Sequence, residues 1–238
     1  MLVNRFAAVL FDLDGVITPT ADVHMVAWAD MFNAYLAGVP GQQPYVADDY
    51  FRYVDGKPRF DGVRDFLASR GIVLPEGTPD DDPALETVCG LGNRKNDAFN
   101  ETLERDGVVG YPGSVRLIEQ LAAAGTKLAV VSSSKNAPAV LRAARLDQYF
   151  PVIVDGNVAV AEGLPGKPAP DTFIRAAELL QTTPGESVVI EDALSGVAAG
   201  AAGGFGLVIG VDRGVGADEL RGAGAELVVG DLEELVAP

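Results

Sequence analysis

Asp12 and Asp14 stand two residues apart in Phe11-Asp12-Leu13-Asp14-Gly15, directly after the apolar run Phe6-Ala7-Ala8-Val9-Leu10. An unbroken apolar run of that length reads as a strand buried on both faces. Gly15 gives the backbone freedom to turn away once the strand ends. Acids delivered to the end of a buried strand are costly unless a cation or a proton compensates them. The chemistry they suit is a magnesium site, with one Asp as nucleophile and the other as acid/base. Taken alone, the pair has a plainer reading as a turn rich in Asp and Gly.

Three later stretches again place polar residues around or behind short apolar runs. Val130-Val131 precedes Ser132-Ser133-Ser134-Lys135-Asn136, where hydroxyls and amides open a predicted helix in a pattern suited to an anion. Gly166-Lys167-Pro168-Ala169-Pro170-Asp171 holds one lysine in a proline-stiffened loop, a point charge suited to a phosphoryl oxygen; without context it is a surface lysine in a turn. Val188-Val189-Ile190 precedes Glu191-Asp192. With Asp12 and Asp14 these acids make up to four carboxylates near one point, which calls for a divalent cation. Oxygen-only ligation favours magnesium over zinc.

The elements that must gather these residues are read from periodicity. From residue 110 onward, helices over 114–124, 137–145, 170–180, 194–202 and 217–222 alternate with strands over 128–131, 152–154, 187–190, 206–209 and 227–229. Such alternation predicts a parallel sheet covered on both faces, with ligands at the carboxyl ends of its strands. Residues 20–106 contain no convincing strand. They read as a helix over 21–38, a loop-rich stretch over 39–57 with a short helix near 48–53, and a helix over 61–69. A surface connection over 75–83 and one long or two shorter helices over 84–105 complete them. The predicted fold class is α/β: a Rossmann-like, doubly wound parallel-sheet core domain from residues 1–19 and 107–238, with an all-helical cap domain inserted over 20–106.

The 238 residues are 48% hydrophobic and 22% charged, enough to build a sizeable core. With 34 acidic against 18 basic side chains, the net charge of −16 argues against nucleic acid as a partner. An anionic substrate needs a locally positive pocket on such a chain. No apolar run reaches the length of a membrane span, and no signal-peptide pattern opens the sequence. The single cysteine, Cys89, has no internal disulfide partner, and a cytoplasmic monomer is expected. Cys89 reads as a buried, inert residue, with a reactive thiol as the alternative. One histidine, His24, and the lack of a G-x-S-x-G elbow argue against a serine-hydrolase triad. Neither nucleotide-binding glycine motif occurs.

Asp12-x-Asp14-Gly15, Ser132, Lys167 and Glu191-Asp192 resemble, in order and spacing, the four motifs of the haloacid dehalogenase-like phosphotransferases, over essentially the whole chain. The resemblance implies that Asp12 becomes an aspartyl phosphate and that Asp14 is the general acid/base. Ser132 and Lys167 would hold the transferring group. Magnesium would be bound by Asp12, the Asp14 backbone carbonyl and Asp192, with Glu191 supporting. The presence of Asp14 sets the chain apart from true dehalogenases.

Finer features are similar to the β-phosphoglucomutase subgroup. Thr20, His24 and Trp28 resemble its entry into the cap, and Gly56-Lys57-Pro58-Arg59 resembles a specificity loop whose Arg binds the distal phosphate of the substrate. Arg94-Lys95-Asn96-Asp97 resembles the cap motif whose Lys contacts the sugar. Ser133, Ser134, Lys135 and Asn136 match core residues on the substrate side. The implied reaction interconverts β-glucose 1-phosphate and glucose 6-phosphate through β-glucose 1,6-bisphosphate, with His24 coupling cap closure to Asp14. Holding two phosphates at once fits a mutase better than a phosphatase, and Arg59 with Lys135 suits the second phosphate. A sugar-phosphate phosphatase and a non-catalytic sugar-phosphate binder are the alternatives. Plainer readings make Arg59 and Lys95 solvated residues, and His24 with Trp28 core packing. Pro19 departs from the subgroup, which commonly has Asp there; a fixed φ and a missing donor imply altered cap dynamics and more leakage to water.

Overall fold

The computed structural model of the chain describes residues 3–237, so residues 1, 2 and 238 of the expected core domain lie outside the described residues. In chain order its elements are β1 (Ala8–Phe11), α1 (Thr20–Leu36), α2 (Ala47–Asp49), running on into a π-helical turn (Tyr50–Val54), α3 (Arg59–Ser69), α4 (Val88–Asp106) and α5 (Pro112–Ala123). Then come β2 (Lys127–Val131), α6 (Ala137–Ala143), β3 (Val152–Val154), α7 (Gly156–Glu162), α8 (Asp171–Leu179), β4 (Ser187–Glu191), α9 (Leu194–Ala202), β5 (Leu207–Val211), α10 (Ala217–Ala223) and β6 (Leu227–Val229). The chain divides into two compact units, Met1–Pro19 with Val108–Pro238, and Thr20–Gly107.

The first unit carries a parallel sheet of six strands in the order β3-β2-β1-β4-β5-β6. This is a doubly wound order that reverses between β1 and β4, the switch point where such sheets bind ligands. β1 lies in the middle: Phe11 pairs with Val130 on one side and Ile190 on the other. The residues just beyond these three are therefore delivered side by side.

All of β1 is buried, because side chains alternate between two covered faces. Ala8 and Leu10 share one face with Ala129, Val131 and Val189, packed under Phe173, Ala176 and Val197 of α8 and α9. Val9 and Phe11 point the other way, where Phe11 meets the edge of Phe150 at 5.9 Å between centroids. On α5, which packs on β2, Leu117, Ile118 and Leu121 are fully buried. Each such side chain contributes about 1.5–3 kcal/mol on burial, so β1 is a stiff mount for Asp12 at its end.

Most boundaries shift by one or two residues from the sequence reading; two of the shifts and one added element have a visible local cause. β1 begins at Ala8, since Phe6 instead donates to Val3 O and closes a short turn. α4 begins at Val88, where the Thr87 hydroxyl accepts the Gly90 N–H at 2.9 Å. α7 had no counterpart in the sequence reading. Asp155 starts it by accepting from the Asn157 and Val158 amides, and Gly163 ends it in the left-handed region.

The second unit, Thr20–Gly107, is helical. α1 packs on α4, and α3 packs on α4 and the π-helical turn, around Trp28, Phe32, Tyr45, Phe66 and Leu91. Phe32 and Phe66 lie 4.1 Å apart between ring centroids. Cys89 is buried here. Among the described residues no helix is long and apolar enough to cross a membrane.

Candidate active site

Asp12 comes directly after β1 and keeps its N–H on Ile190 O at 2.9 Å, so the nucleophile candidate is still held by the neighbouring strand. Lys167, in the loop before α8, is 3% exposed, and its ammonium has three oxygen partners. It donates to Asp12 Oδ1 at 2.6 Å, to Glu191 Oε1 at 2.6 Å and to Val131 O at 3.0 Å. The ring of Phe173 lies beneath it, 4.9 Å from Nζ to centroid. Three sequence-distant segments thus meet at one ammonium.

Glu191 is fully buried, and both carboxylate oxygens are engaged: Oε1 by Lys167 and Oε2 by the Ala193 N–H at 2.8 Å. A Cβ on Gly196 would stand 1.7 Å from Oε1, so α9 can approach this carboxylate only because residue 196 has no side chain. Gly15 plays the same part for Asp192. Its φ is +84°, and a Cβ there would lie 1.8 Å from Asp192 Oδ2. Both glycines admit an acid into a space that alanine would occupy.

Asp12, Glu191 and Asp192 each offer an oxygen, and these atoms lie within 4.8 Å of one another. One ammonium cannot neutralise three buried carboxylates. Burial pushes the Asp12 carboxyl well above its usual range against the pull of Lys167, and Glu191 and Asp14 push it the same way. Burial acts to lower Lys167, but the charges of Asp12 and Glu191 outweigh it and hold the ammonium above its ordinary range. A hard divalent cation fits this set: the donors are all oxygen, buried, and short of positive charge. The Asp14 carboxylate is not among the three. Asp14 is half-buried on the turn beyond β1, bridged to Thr18.

Ser132 comes directly after β2, donates its N–H to Val154 O at 3.0 Å and is buried. Its hydroxyl oxygen accepts from the Ser134 N–H, and that of Ser134 accepts from the Asn136 N–H, both at 3.1 Å. Each oxygen acts as an acceptor, leaving its proton for an anion. This loop of Ser132, Ser133, Ser134, Lys135 and Asn136 rests on the start of α7, where Gly156 donates to Ser134 O at 3.2 Å and Asn157 Nδ2 to Lys135 O at 3.1 Å. A Cβ on Gly156 would sit 2.8 Å from Ser133 O. Sequence reasoning missed this brace. The Asp155 cap and Gly163 stop were its available signal, masked by the turn-like Gly156-Asn157 pair.

The remaining candidates lie in the helical unit. His24 and Trp28 are one turn apart on α1, and Lys95 and Phe99 one turn apart on α4. Lys95 is 5% exposed, with its ammonium 5.0 Å from the Trp28 ring centroid and 5.2 Å from that of Phe99. His24 stacks on Phe99 at 4.0 Å, and its Nδ1 contacts Lys95 Nζ. Thr20 is buried at the first position of α1. Gly56 has φ +68°, three residues before Arg59 opens α3. The Arg59 Nε is buried with no hydrogen-bond partner, and burial lowers its pKa. A buried donor in that condition costs about 1–3 kcal/mol, more for a charged group, unless something accepts from it.

The sequence profile of the haloacid dehalogenase-like hydrolases matches residues 6–204. A β-phosphoglucomutase of Mycobacterium tuberculosis is 51% identical over 244 residues, covering 99% of this chain and 93% of that one. Among solved structures, a β-phosphoglucomutase from Clostridium difficile is similar with a TM-score of 0.77 at 24% identity, over 97% of this chain and 93% of the other, a likeness of fold. CbbY from Rhodobacter sphaeroides, solved in complex with xylulose 1,5-bisphosphate, is similar at a TM-score of 0.75 and 25% identity, over 97% and 96% of the two chains.

Proposed function

Since this chain belongs to the haloacid dehalogenase-like hydrolase family, we propose that it is a β-phosphoglucomutase, interconverting β-glucose 1-phosphate and glucose 6-phosphate through β-glucose 1,6-bisphosphate. The observation that carries the reading is the buried Lys167 ammonium, 2.6 Å from Asp12 in a cluster of acids that is short of positive charge. The near full-length likeness to a mycobacterial β-phosphoglucomutase supports the choice of reaction.

Asp12, Asp192 and the Asp14 carbonyl, with Glu191 supporting, are the proposed holders of Mg2+, which when bound would neutralise charge on the transferring phosphoryl group. Asp12 begins the cycle as an aspartyl phosphate. Asp14 takes the proton from the sugar's 6-hydroxyl as that oxygen bonds to phosphorus and the bond from Asp12 to phosphorus breaks. After the bisphosphate reorients, an Asp12 oxygen attacks the 1-phosphate. The sugar C1 oxygen leaves with the proton returned by Asp14. Lys167 stays charged throughout and, with the Ser132 hydroxyl, steadies the phosphoryl oxygens.

Arg59, Ser133, Ser134, Lys135 and Asn136 are proposed to hold the other phosphate; the buried, unpartnered Arg59 Nε is a donor suited to an anion. Lys95, Trp28, His24, Gly56 and Thr20 are proposed to meet the sugar and tune its approach. A single buried cysteine fits a reducing, cytoplasmic setting, and a monomer is proposed.

Phosphorus NMR tests the assignment. With Mg2+, β-glucose 1-phosphate and a trace of bisphosphate, a mutase yields glucose 6-phosphate. Release of inorganic phosphate as the main product would make the protein a sugar-phosphate phosphatase, and no turnover would leave only binding.

A further inference from the structure

We propose that Arg213 is a positioning residue for Asp14, clamping the turn that carries it; this rests on the reading of Asp14 as the general acid/base. Three consecutive carbonyls past Asp14 accept from distant parts of the chain, two from the start of α5 and one from the loop after β5. Gly15 O takes the Arg213 Nε at 2.8 Å, Val16 O the Ser114 hydroxyl at 2.6 Å, and Ile17 O the Tyr111 N–H at 2.9 Å. Inside the turn, Leu13 O accepts the N–H groups of Ile17 and Thr18 at 2.9 and 3.0 Å, and Gly15 donates to Thr18 O at 2.8 Å. The turn is thus closed internally and held externally at every carbonyl from 15 to 17.

Arg213 is the one charged donor of the three, and it is itself immobilised. Its guanidinium lies 3.9 Å from the centroid of the Tyr111 ring. It also donates to Gly230 O at 3.2 Å and to Asp231 Oδ2 at 3.4 Å. Asp231 in turn caps the turn at Leu232–Leu235. The charged Arg213 donor restrains the peptide following Gly15, the most freely rotating residue of the turn. With that peptide loose, Asp14 would sample positions away from the departing oxygen, and general acid–base catalysis tolerates little misplacement.

Protonation matters most for a poor leaving group. A sugar alkoxide needs its proton from Asp14, whereas p-nitrophenolate leaves unaided. Arg213→Met should therefore lower kcat for β-glucose 1-phosphate by about tenfold or more, with KM unchanged, while the pre-steady-state burst of p-nitrophenolate from p-nitrophenyl phosphate, which needs no proton from Asp14, keeps its rate within about twofold. Arg213→Lys, which keeps a charged donor for Gly15 O, should recover most of the loss. If Arg213→Met does not fold, Tyr111→Leu, which takes away the ring under the guanidinium and keeps the backbone N–H on Ile17 O, should show the same selective loss. Equal losses on both substrates, or none, would overturn the proposal. A wild-type protein inert toward both would remove the acid/base premise, and the proposal with it.

Discussion

Lys167 and Glu191 are joined by a 2.6 Å ion pair in which each side chain exposes 1% of its surface. Glu191 spends its second oxygen on the Ala193 amide, so its orientation is set before any ligand arrives. The lysine is therefore aimed at Asp12 by a carboxylate that cannot swing away. An ion pair removed from water in this way serves to place charge more than to stabilise the fold.

Replacing Lys167 by Met leaves Asp12 and Glu191 buried and unpaired. The metal-free protein should lose about 3–5 kcal/mol, read as a lower guanidinium midpoint in the presence of EDTA. Turnover should fall below detection. An unchanged midpoint would mean that something other than Lys167 balances these acids.

Gly15→Ala introduces a methyl group where Asp192 Oδ2 now sits and forces a left-handed φ on a residue that resists it. Titration calorimetry should show Mg2+ affinity reduced by about 10–100-fold. Gly196→Ala displaces Glu191 instead, and should depress kcat through Lys167 with a smaller effect on Mg2+.

Arg59→Ala removes the proposed distal-phosphate donor. KM for β-glucose 1-phosphate should rise by about 10–100-fold, the worth of a charge-assisted hydrogen bond of about 1.5–3 kcal/mol. Turnover of p-nitrophenyl phosphate, which has no second phosphate, should hardly change. Parallel losses on both substrates would place Arg59 in the scaffold instead.

Burial pushes the Cys89 thiol up. The folded protein then keeps it protonated where an unfolded chain has already ionised it. Its contribution to stability is complete below the ordinary thiol value of about 8.5 and is lost as pH climbs through the raised one. A thiol-specific disulfide reagent should find no reactive group at pH 8 until denaturant is added, and Cys89→Ala should flatten the fall in Tm above about pH 9.

The sheet was legible in the sequence because its strands are short apolar runs buried on both faces, and such runs have few other fates. Strands at 152–154 and 227–229 and the helix at 194–202 coincide with β3, β6 and α9. Asp12, Lys167, Glu191 and Asp192 stood out because polar residues behind or between buried runs are chemically conspicuous. Arg213, Ser114, Gly156 and Gly196 did not. Their importance comes from what they face across the fold, and nothing in their immediate neighbours announces a carbonyl or carboxylate from another element. α7 was hidden for a local reason: Gly156-Asn157 signals a turn as readily as a helix start.

Gly15 and Gly196 press toward Asp192 and Glu191, so the catalytic end of the sheet is shaped by two missing methyl groups as much as by its acids. Anyone retooling this scaffold for a bulkier phosphoester inherits that constraint. Neither glycine position can be enlarged without evicting a charge, and extra room has to be sought along the serine-rich loop resting on α7.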